Sequence, residues 1–280
     1  MVKTITDSGY CFGVLRAIET AREAAKPGKD VYLAHLLMHN LEESARISKE
    51  CGIKPLSEME PPYEGKTVVF SAHGHSPEEE KYPGAEYIDG ICPFIAGRYR
   101  NIKKYEALGY PIVYCGKKGH QETIGFTGIF ANSIFIDQND LDGISLPLEP
   151  GSSIVAAVQT TLSKTKSEKL KNWLSENYEI VAFFDICPTY KKRFHQAYDF
   201  LIKLKDLKNV SVIVAGDSLS SNAHETAAFL QTAFKDLDVR ISLSLSPEEM
   251  SYLKKRDVFI VSSTSASRKQ VERLEKALAD

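Results

Sequence analysis

The strongest constraint on how this chain folds is a loosely repeated unit that puts a cysteine at the same point in three copies. Gly90-Ile91-Cys92-Pro93 and Asp185-Ile186-Cys187-Pro188 are nearly identical, and the first copy reads Gly9-Tyr10-Cys11-Phe12. A helix-like stretch follows each cysteine, and then a Val/Ile-rich run at 31–34, 112–115 and 210–215. A polar cluster comes next: His39-Asn40, then His120-Gln121-Glu122, then Ser220-Ser221-Asn222. Each copy closes with a second apolar run, at 68–74, 154–161 and 259–267, which ends in hydroxyl, amide or imidazole groups.

Apolar residues recur at helical spacing over 13–21, 98–108 and 197–207, with stops expected at Pro27-Gly28, Gly109 and Asn209. The apolar runs between them are short and bounded by Gly, Pro, Ser or Asp, as buried parallel strands are. This alternation predicts an α/β architecture with parallel sheets and right-handed crossovers. Three units are expected: 11–91 with Cys11, His39 and His73; 92–186 with Cys92, His120, Glu122 and Thr160; and 187–280 with Cys187, Ser220 and Asn222, on which 1–10 packs. Ligands of such sheets bind beyond the carboxyl ends of the strands, where all the polar clusters fall.

Charged residues make up 26% of the 280 and the formal net charge is −2, with no basic stripe. Nucleic-acid and membrane partners are therefore not expected. The N-terminus shows no apolar signal region and no stretch approaches a membrane span, which predicts a cytoplasmic protein. Five cysteines are too few for a disulfide framework. Cys51, at an expected helix end, and Cys115, at a strand end, read as small core residues.

Cys11, Cys92 and Cys187 each precede a helix, whose N-terminus lowers a thiol pKa and favours the metal-ligating thiolate. Pro93 and Pro188 suit the first helical position, where a missing N–H costs nothing. The cysteines are 81 and 95 residues apart, unlike the close pairs of a structural zinc site. Spacing favours a [4Fe–4S] cluster with three cysteine ligands and one open iron, with zinc or no metal as the alternatives. His39, His73 and His120 lie in equivalent loops and, with Ser220, Asn222 and a serine of 262–267, offer donors for an anion. Glu122 is the carboxylate of the central clusters and the natural proton donor there.

These residues resemble the LytB/IspH family, the 4-hydroxy-3-methylbut-2-enyl diphosphate reductases, along essentially the whole chain. The resemblance rests on Gly9-Tyr10-Cys11-Phe12-Gly13-Val14, Met38-His39-Asn40, Ser71-Ala72-His73-Gly74, Cys92-Pro93 and Gly119-His120-Gln121-Glu122. Gln159-Thr160-Thr161-Leu162-Ser163, Asp185-Ile186-Cys187 and Ser220-Ser221-Asn222 complete it. It implies a trefoil of three pseudo-threefold-related α/β units around a central [4Fe–4S] cluster held by Cys11, Cys92 and Cys187. It also implies reductive removal of the allylic hydroxyl of a diphosphate, giving isopentenyl and dimethylallyl diphosphate in the methylerythritol phosphate route. Glu122 and His120 then act catalytically, with Thr160 orienting the hydroxyl network. His39, His73, His120, Ser220, Ser221, Asn222 and Ser265 or Ser267 hold the diphosphate. Electrons come from an external ferredoxin- or flavodoxin-like donor.

The chain departs from the family pattern at Tyr190, where a threonine is usual, and at Thr123-Ile124-Gly125-Phe126. It departs again at His75 and at Arg268. Two further readings are carried: a paralogue with the same cluster and another small anionic substrate, and a non-catalytic iron–sulfur sensor or electron carrier.

Overall fold

In the computed structural model, which describes residues 1–279, the elements alternate as the repeat predicts. The first third contains β1 (Val2–Thr4), α1 (Phe12–Ala24), β2 (Asp30–Leu33), α2 (Leu41–Cys51), β3 (Lys54–Pro55), β4 (Lys66–Phe70) and β5 (Glu86–Asp89). The middle third contains α3 (Pro93–Ala107), β6 (Ile112–Gly116), α4 (Gln121–Ile129), β7 (Ile134–Asp137), β8 (Ser153–Val158), α5 (Lys164–Asn177) and β9 (Glu179–Phe184). The last contains α6 (Pro188–Leu201), β10 (Val210–Ala215), α7 (Ser221–Ala233), β11 (Asp238–Ile241), α8 (Pro247–Leu253), β12 (Asp257–Ser262) and α9 (Arg268–Ala279).

Three four-stranded sheets result, ordered β3-β2-β4-β5, β7-β6-β8-β9 and β1-β12-β10-β11. Every strand pair is parallel. By backbone contacts the chain divides into two compact units. One comprises Met1–Leu15, Met38–Ile47 and the chain from Pro188 onward; the other comprises Arg16–Leu37 and Ser48–Cys187.

Burial on both sheet faces explains why the central strands are nearly continuous apolar runs, broken only by small buried hydroxyls such as Ser211 and Thr67. In β10, Val210, Val212 and Val214 pack with Ala197 and Leu201 of α6 and with Ala223, Ala227 and Leu230 of α7. Ile213 and Ala215, one residue out of phase, pack with Leu253 of α8 and with Val271, Leu274 and Leu278 of α9. Two-residue alternation thus feeds two cores from one strand. In the other unit, Ile112 and Tyr114 of β6 and Val155 and Ala157 of β8 meet Ile95, Tyr99 and Ile102 of α3 and Phe126 of α4.

One boundary differs from expectation. The apolar spacing extends to Leu207, but α6 ends at Leu201. A tight turn, Leu204 N–H to the Leu201 carbonyl at 3.0 Å, closes it. The Asp206 side chain then accepts the Lys208 N–H at 2.9 Å, a local bond that competes with continued helix.

The loop before Cys92 depends on a glycine for closeness of approach. Gly90 N–H donates to the Phe70 carbonyl at 3.1 Å. A β-carbon there would stand 2.3 Å from that same oxygen. Backbone on both sides leaves no side chain to swing away, so Gly90→Ala should destabilise by about 1–3 kcal/mol, as overpacking does. Its denaturation midpoint should fall, whereas Gly143→Ala, with nothing within 4 Å of the added carbon, should be near neutral.

Candidate active site

Each of the three cysteines sits in the same local seat. The Cys11 N–H donates to the Thr264 carbonyl at 3.0 Å, Cys92 to Ala72 at 2.9 Å and Cys187 to Thr160 at 2.9 Å. In every case the acceptor lies two residues past the end of a central strand: β12, β4 and β8. Each cysteine also precedes the first residue of a helix, α1, α3 or α6. The Cys11 and Cys92 carbonyls accept the first helical bonds, from Leu15 and Ala96 at 3.0 and 2.9 Å. A helix N-terminus and a pinned amide thus hold each half-buried cysteine at the same point of its unit. Cys115 is different: it is buried in β6 and burial pushes its thiol up to about 12, so it stays protonated core. Cys51, the last residue of α2, is half-buried. No disulfide joins any of the five cysteines.

In the unit that holds Cys92 and Cys187, the acid–base residues converge. Glu122 lies in the first turn of α4, yet its side chain turns to the strand end of β8. The Thr160 N–H donates to Glu122 Oε1 at 2.8 Å and the Thr160 hydroxyl to Oε2 at 2.6 Å. Glu122 is 3% exposed. Burial raises its pKa above the ordinary value, opposed by the Arg98 charge and by the two Thr160 bonds. His120 caps α4, its Nδ1 accepting the Glu122 N–H at 3.1 Å. In the neutral ring that bond leaves the proton on Nε2. His73 stands edge-on to His120 with ring centroids 5.6 Å apart, and its Nδ1 is 3.1 Å from the Ser71 hydroxyl.

In the unit that holds Cys11, hydroxyl and amide groups converge. Ser220 caps α7, its hydroxyl accepting the Ala223 N–H at 3.3 Å, and Ser221 and Asn222 form the first turn. Asn222 is buried and its Nδ2 has no hydrogen-bond partner among the described residues. The His39–Leu41 segment is tied to this region through the Leu41 N–H, which donates to Asp217 at 2.9 Å. It is tied to the loop after β12 as well: the Ser265 hydroxyl donates to the His39 carbonyl at 3.1 Å and Asn40 Nδ2 to the Ser265 carbonyl at 2.8 Å. The Ser267 hydroxyl instead donates to Glu43 at 3.2 Å.

Tyr190 does not stand open at this place. It is 2% exposed, its hydroxyl lies beside Thr226, and burial raises its pKa. Thr226 in turn donates to the Asn222 carbonyl at 2.8 Å. Tyr190 therefore backs the α7 helix that presents Asn222.

Several supporting residues escape a motif-based reading. Arg98 Nη2 donates to the Val158 and Phe184 carbonyls, both at 2.7 Å. Arg193 ties the carbonyls of Ser263 and Gly9, both at 2.6 Å. Both arginines stand six residues after a cysteine, the signal that the repeat offered. Glu43, buried beside Tyr10, Arg46 and Ser267, had no such signal. Among the described residues, no three His, Cys, Asp or Glu side chains gather as the ligand set of a single ion. No helix among them is long and apolar enough to cross a membrane.

The 4-hydroxy-3-methylbut-2-enyl diphosphate reductase of Bacillus licheniformis is 31% identical over 235 residues, covering 80% of this chain and 73% of its own. That of Symbiobacterium thermophilum is 28% identical over 289 aligned positions, covering 97% and 96%. The structure of the E-1-hydroxy-2-methyl-but-2-enyl-4-diphosphate reductase from Plasmodium falciparum covers all of this chain and 88% of its own. It matches with a TM-score of 0.82 at 23% identity, a likeness of fold. The family model for LytB protein matches residues 2–279, and the chain belongs to that family.

Proposed function

We propose that this chain is an iron–sulfur oxidoreductase that dehydroxylates 4-hydroxy-3-methylbut-2-enyl diphosphate to isopentenyl and dimethylallyl diphosphate. This places it in isoprenoid synthesis by the methylerythritol phosphate route. The observation that carries the assignment is the buried Glu122–Thr160 pair, built on the loop whose carbonyl also receives the Cys187 N–H. A carrier or sensor of electrons has no use for a buried carboxylic acid beside a ligand loop. A relative matched along 96% of its own length bears the reductase's name, which favours the family substrate over another small anion.

The family uses a [4Fe–4S] cluster, and the thiols present suit one. Cys11, Cys92 and Cys187 would hold it, one thiolate per iron, leaving one iron open. Soft donors on pinned backbones are what such a centre requires, and a cluster spreads its ligands over several irons. When bound, it supplies electrons from an external low-potential donor together with a Lewis-acidic iron. The three functional units of this reading begin at the cysteines: 11–91, 92–186 and 187–280. The pairing of β1 with β12 supports packing of 1–10 on the third.

The rest is the work of the chain's own side chains. The reaction consumes two electrons and two protons and releases water, so a protonated group must face the leaving hydroxyl. Glu122, whose pKa burial raises, donates from its carboxyl, and Thr160 orients the hydroxyl through the same bond that aligns the acid. His120 and His73 supply imidazole donors beside it. Asn222, whose Nδ2 has no hydrogen-bond partner among the described residues, donates to the diphosphate together with Ser220, Ser221 and His39. Between the two C-terminal candidates, Ser265 suits an anion better. Its hydroxyl meets only neutral groups, whereas that of Ser267 meets the Glu43 carboxylate.

Anaerobically purified protein should contain iron and sulfide at the ratio of one [4Fe–4S] cluster, and replacing Cys11, Cys92 or Cys187 by Ser should abolish that content. Tightly bound zinc without sulfide would end the proposal. Glu122→Gln should lose turnover with a reduced donor by roughly a hundredfold or more while still binding the diphosphate. The stability that Glu122 contributes is present while its carboxyl is neutral and is lost as pH rises through its raised value. Anaerobic melts should therefore show wild type losing stability relative to Glu122→Gln as pH increases.

A further inference from the structure

The groups that face Glu122 differ in what they can do for it. Thr160 bonds both of its oxygens, and His120 caps its helix with His73 edge-on behind. From β6 comes Tyr114, and from α3 come Tyr99 and Arg98. The two tyrosines are deeply buried and stay protonated, while Asp89 acts on Tyr99 from farther out. Arg98 is thus the residue in this set with a permanent positive charge.

Arg98 is placed with unusual economy for a long side chain. It is 7% exposed, and its Nη2 donates to the Val158 and Phe184 carbonyls at 2.7 Å each. Those two residues end β8 and β9. Two residues beyond Val158 lies Thr160, and three beyond Phe184 lies Cys187, whose N–H closes on the Thr160 carbonyl. One guanidinium nitrogen therefore fastens both strands that feed the Glu122–Thr160 pair. The Nη1 atom has no hydrogen-bond partner among the described residues. A buried, partly unsatisfied guanidinium is costly unless its charge is compensated nearby.

The other copies fasten the corresponding places differently. Arg193, at the same offset from Cys187, directs both of its terminal nitrogens at the Ser262, Ser263 and Gly9 carbonyls. At that offset from Cys11 stands Ala17, and there the Gly90 N–H bonds the strand-end carbonyl of Phe70 directly. Among the described residues, Arg98 is the one of these arginines whose charge acts on a buried carboxyl; Arg193 acts on Cys11 and the exposed Asp7.

We propose that Arg98 is a positioning residue for proton delivery: it fastens the ends of β8 and β9 so that Thr160 meets Glu122, and its fixed charge faces the carboxyl. The inference rests on Glu122 being the proton donor. The charge opposes the effect of burial, so Glu122 can give up its proton and regain it during turnover.

The test is the pH profile of kcat for cluster-replete wild type, R98Q and R98K, with the hydroxymethylbutenyl diphosphate and one chemical reductant. R98Q removes the charge, so its alkaline limb should move to higher pH, because the carboxyl then holds its proton longer. R98K keeps the charge and should leave the limb in place. It should lower kcat roughly tenfold, the effect of one charged hydrogen bond lost when the fork becomes a single ammonium. An R98Q profile that superimposes on wild type after scaling overturns the proposal, since a merely structural arginine changes amplitude alone. If R98Q does not fold, a displaced limb in R98K overturns it equally. Full activity in Glu122→Gln removes the reading on which the inference rests. An inactive Glu122→Gln with an unmoved R98Q limb removes Arg98 alone.

Discussion

The hydrogen bond from a cysteine N–H to the carbonyl two residues beyond a strand end is the constraint on which the rest depends. It occurs three times, at Cys11, Cys92 and Cys187, and each time it fixes where a helix begins relative to the strand that carries polar groups. As a cluster ligand in the proposed function, a thiol held this way would gain from the helix N-terminus and lose little entropy, because its backbone is already ordered. In the proposed function the bond would couple a cluster ligand and the proton donor within one loop. The carbonyl that receives Cys187 belongs to Thr160, and the amide and hydroxyl of Thr160 hold Glu122.

Beneath these seats the chain solves one problem in three ways. The strand-end carbonyls next to a cysteine loop need donors, since buried acceptors left unpaired are costly. Arg98 serves two of them, Arg193 serves others, and in the first copy a glycine brings its own N–H into contact. The glycine solution demands that no β-carbon intrude, and the arginine solutions demand that a charge be buried. The charges they bury act on different groups: Arg98 on the Glu122 carboxyl, Arg193 on Cys11 and Asp7.

Much of the architecture was legible because parallel strands buried on both faces must be short apolar runs, and because loops after them collect the polar residues. The runs at 210–215 and 112–115 became β10 and β6 nearly residue for residue. Where local bonding competes with periodicity, the pattern misled: apolar spacing continues to Leu207, but a turn closed by the Leu204 N–H on the Leu201 carbonyl ends α6 there. At the site, Glu122 and Thr160 were readable as residue types in the right loops, while Arg98 and Glu43 were hidden among helical charges that look solvent-facing in sequence.

The sequence by itself determined the repeat, the α/β class and the three cysteines, since periodicity and a recurring motif are properties of the chain's order. Tertiary structure alone decided what each polar group is bonded to. It turned a first-turn glutamate away from its own helix and onto Thr160 across 38 positions of sequence. It buried that carboxyl and set an arginine against it. Hydrogen bonds of this kind join residues remote in the chain, and burial depends on what packs around a group, so neither can be read from spacing along one strand or helix.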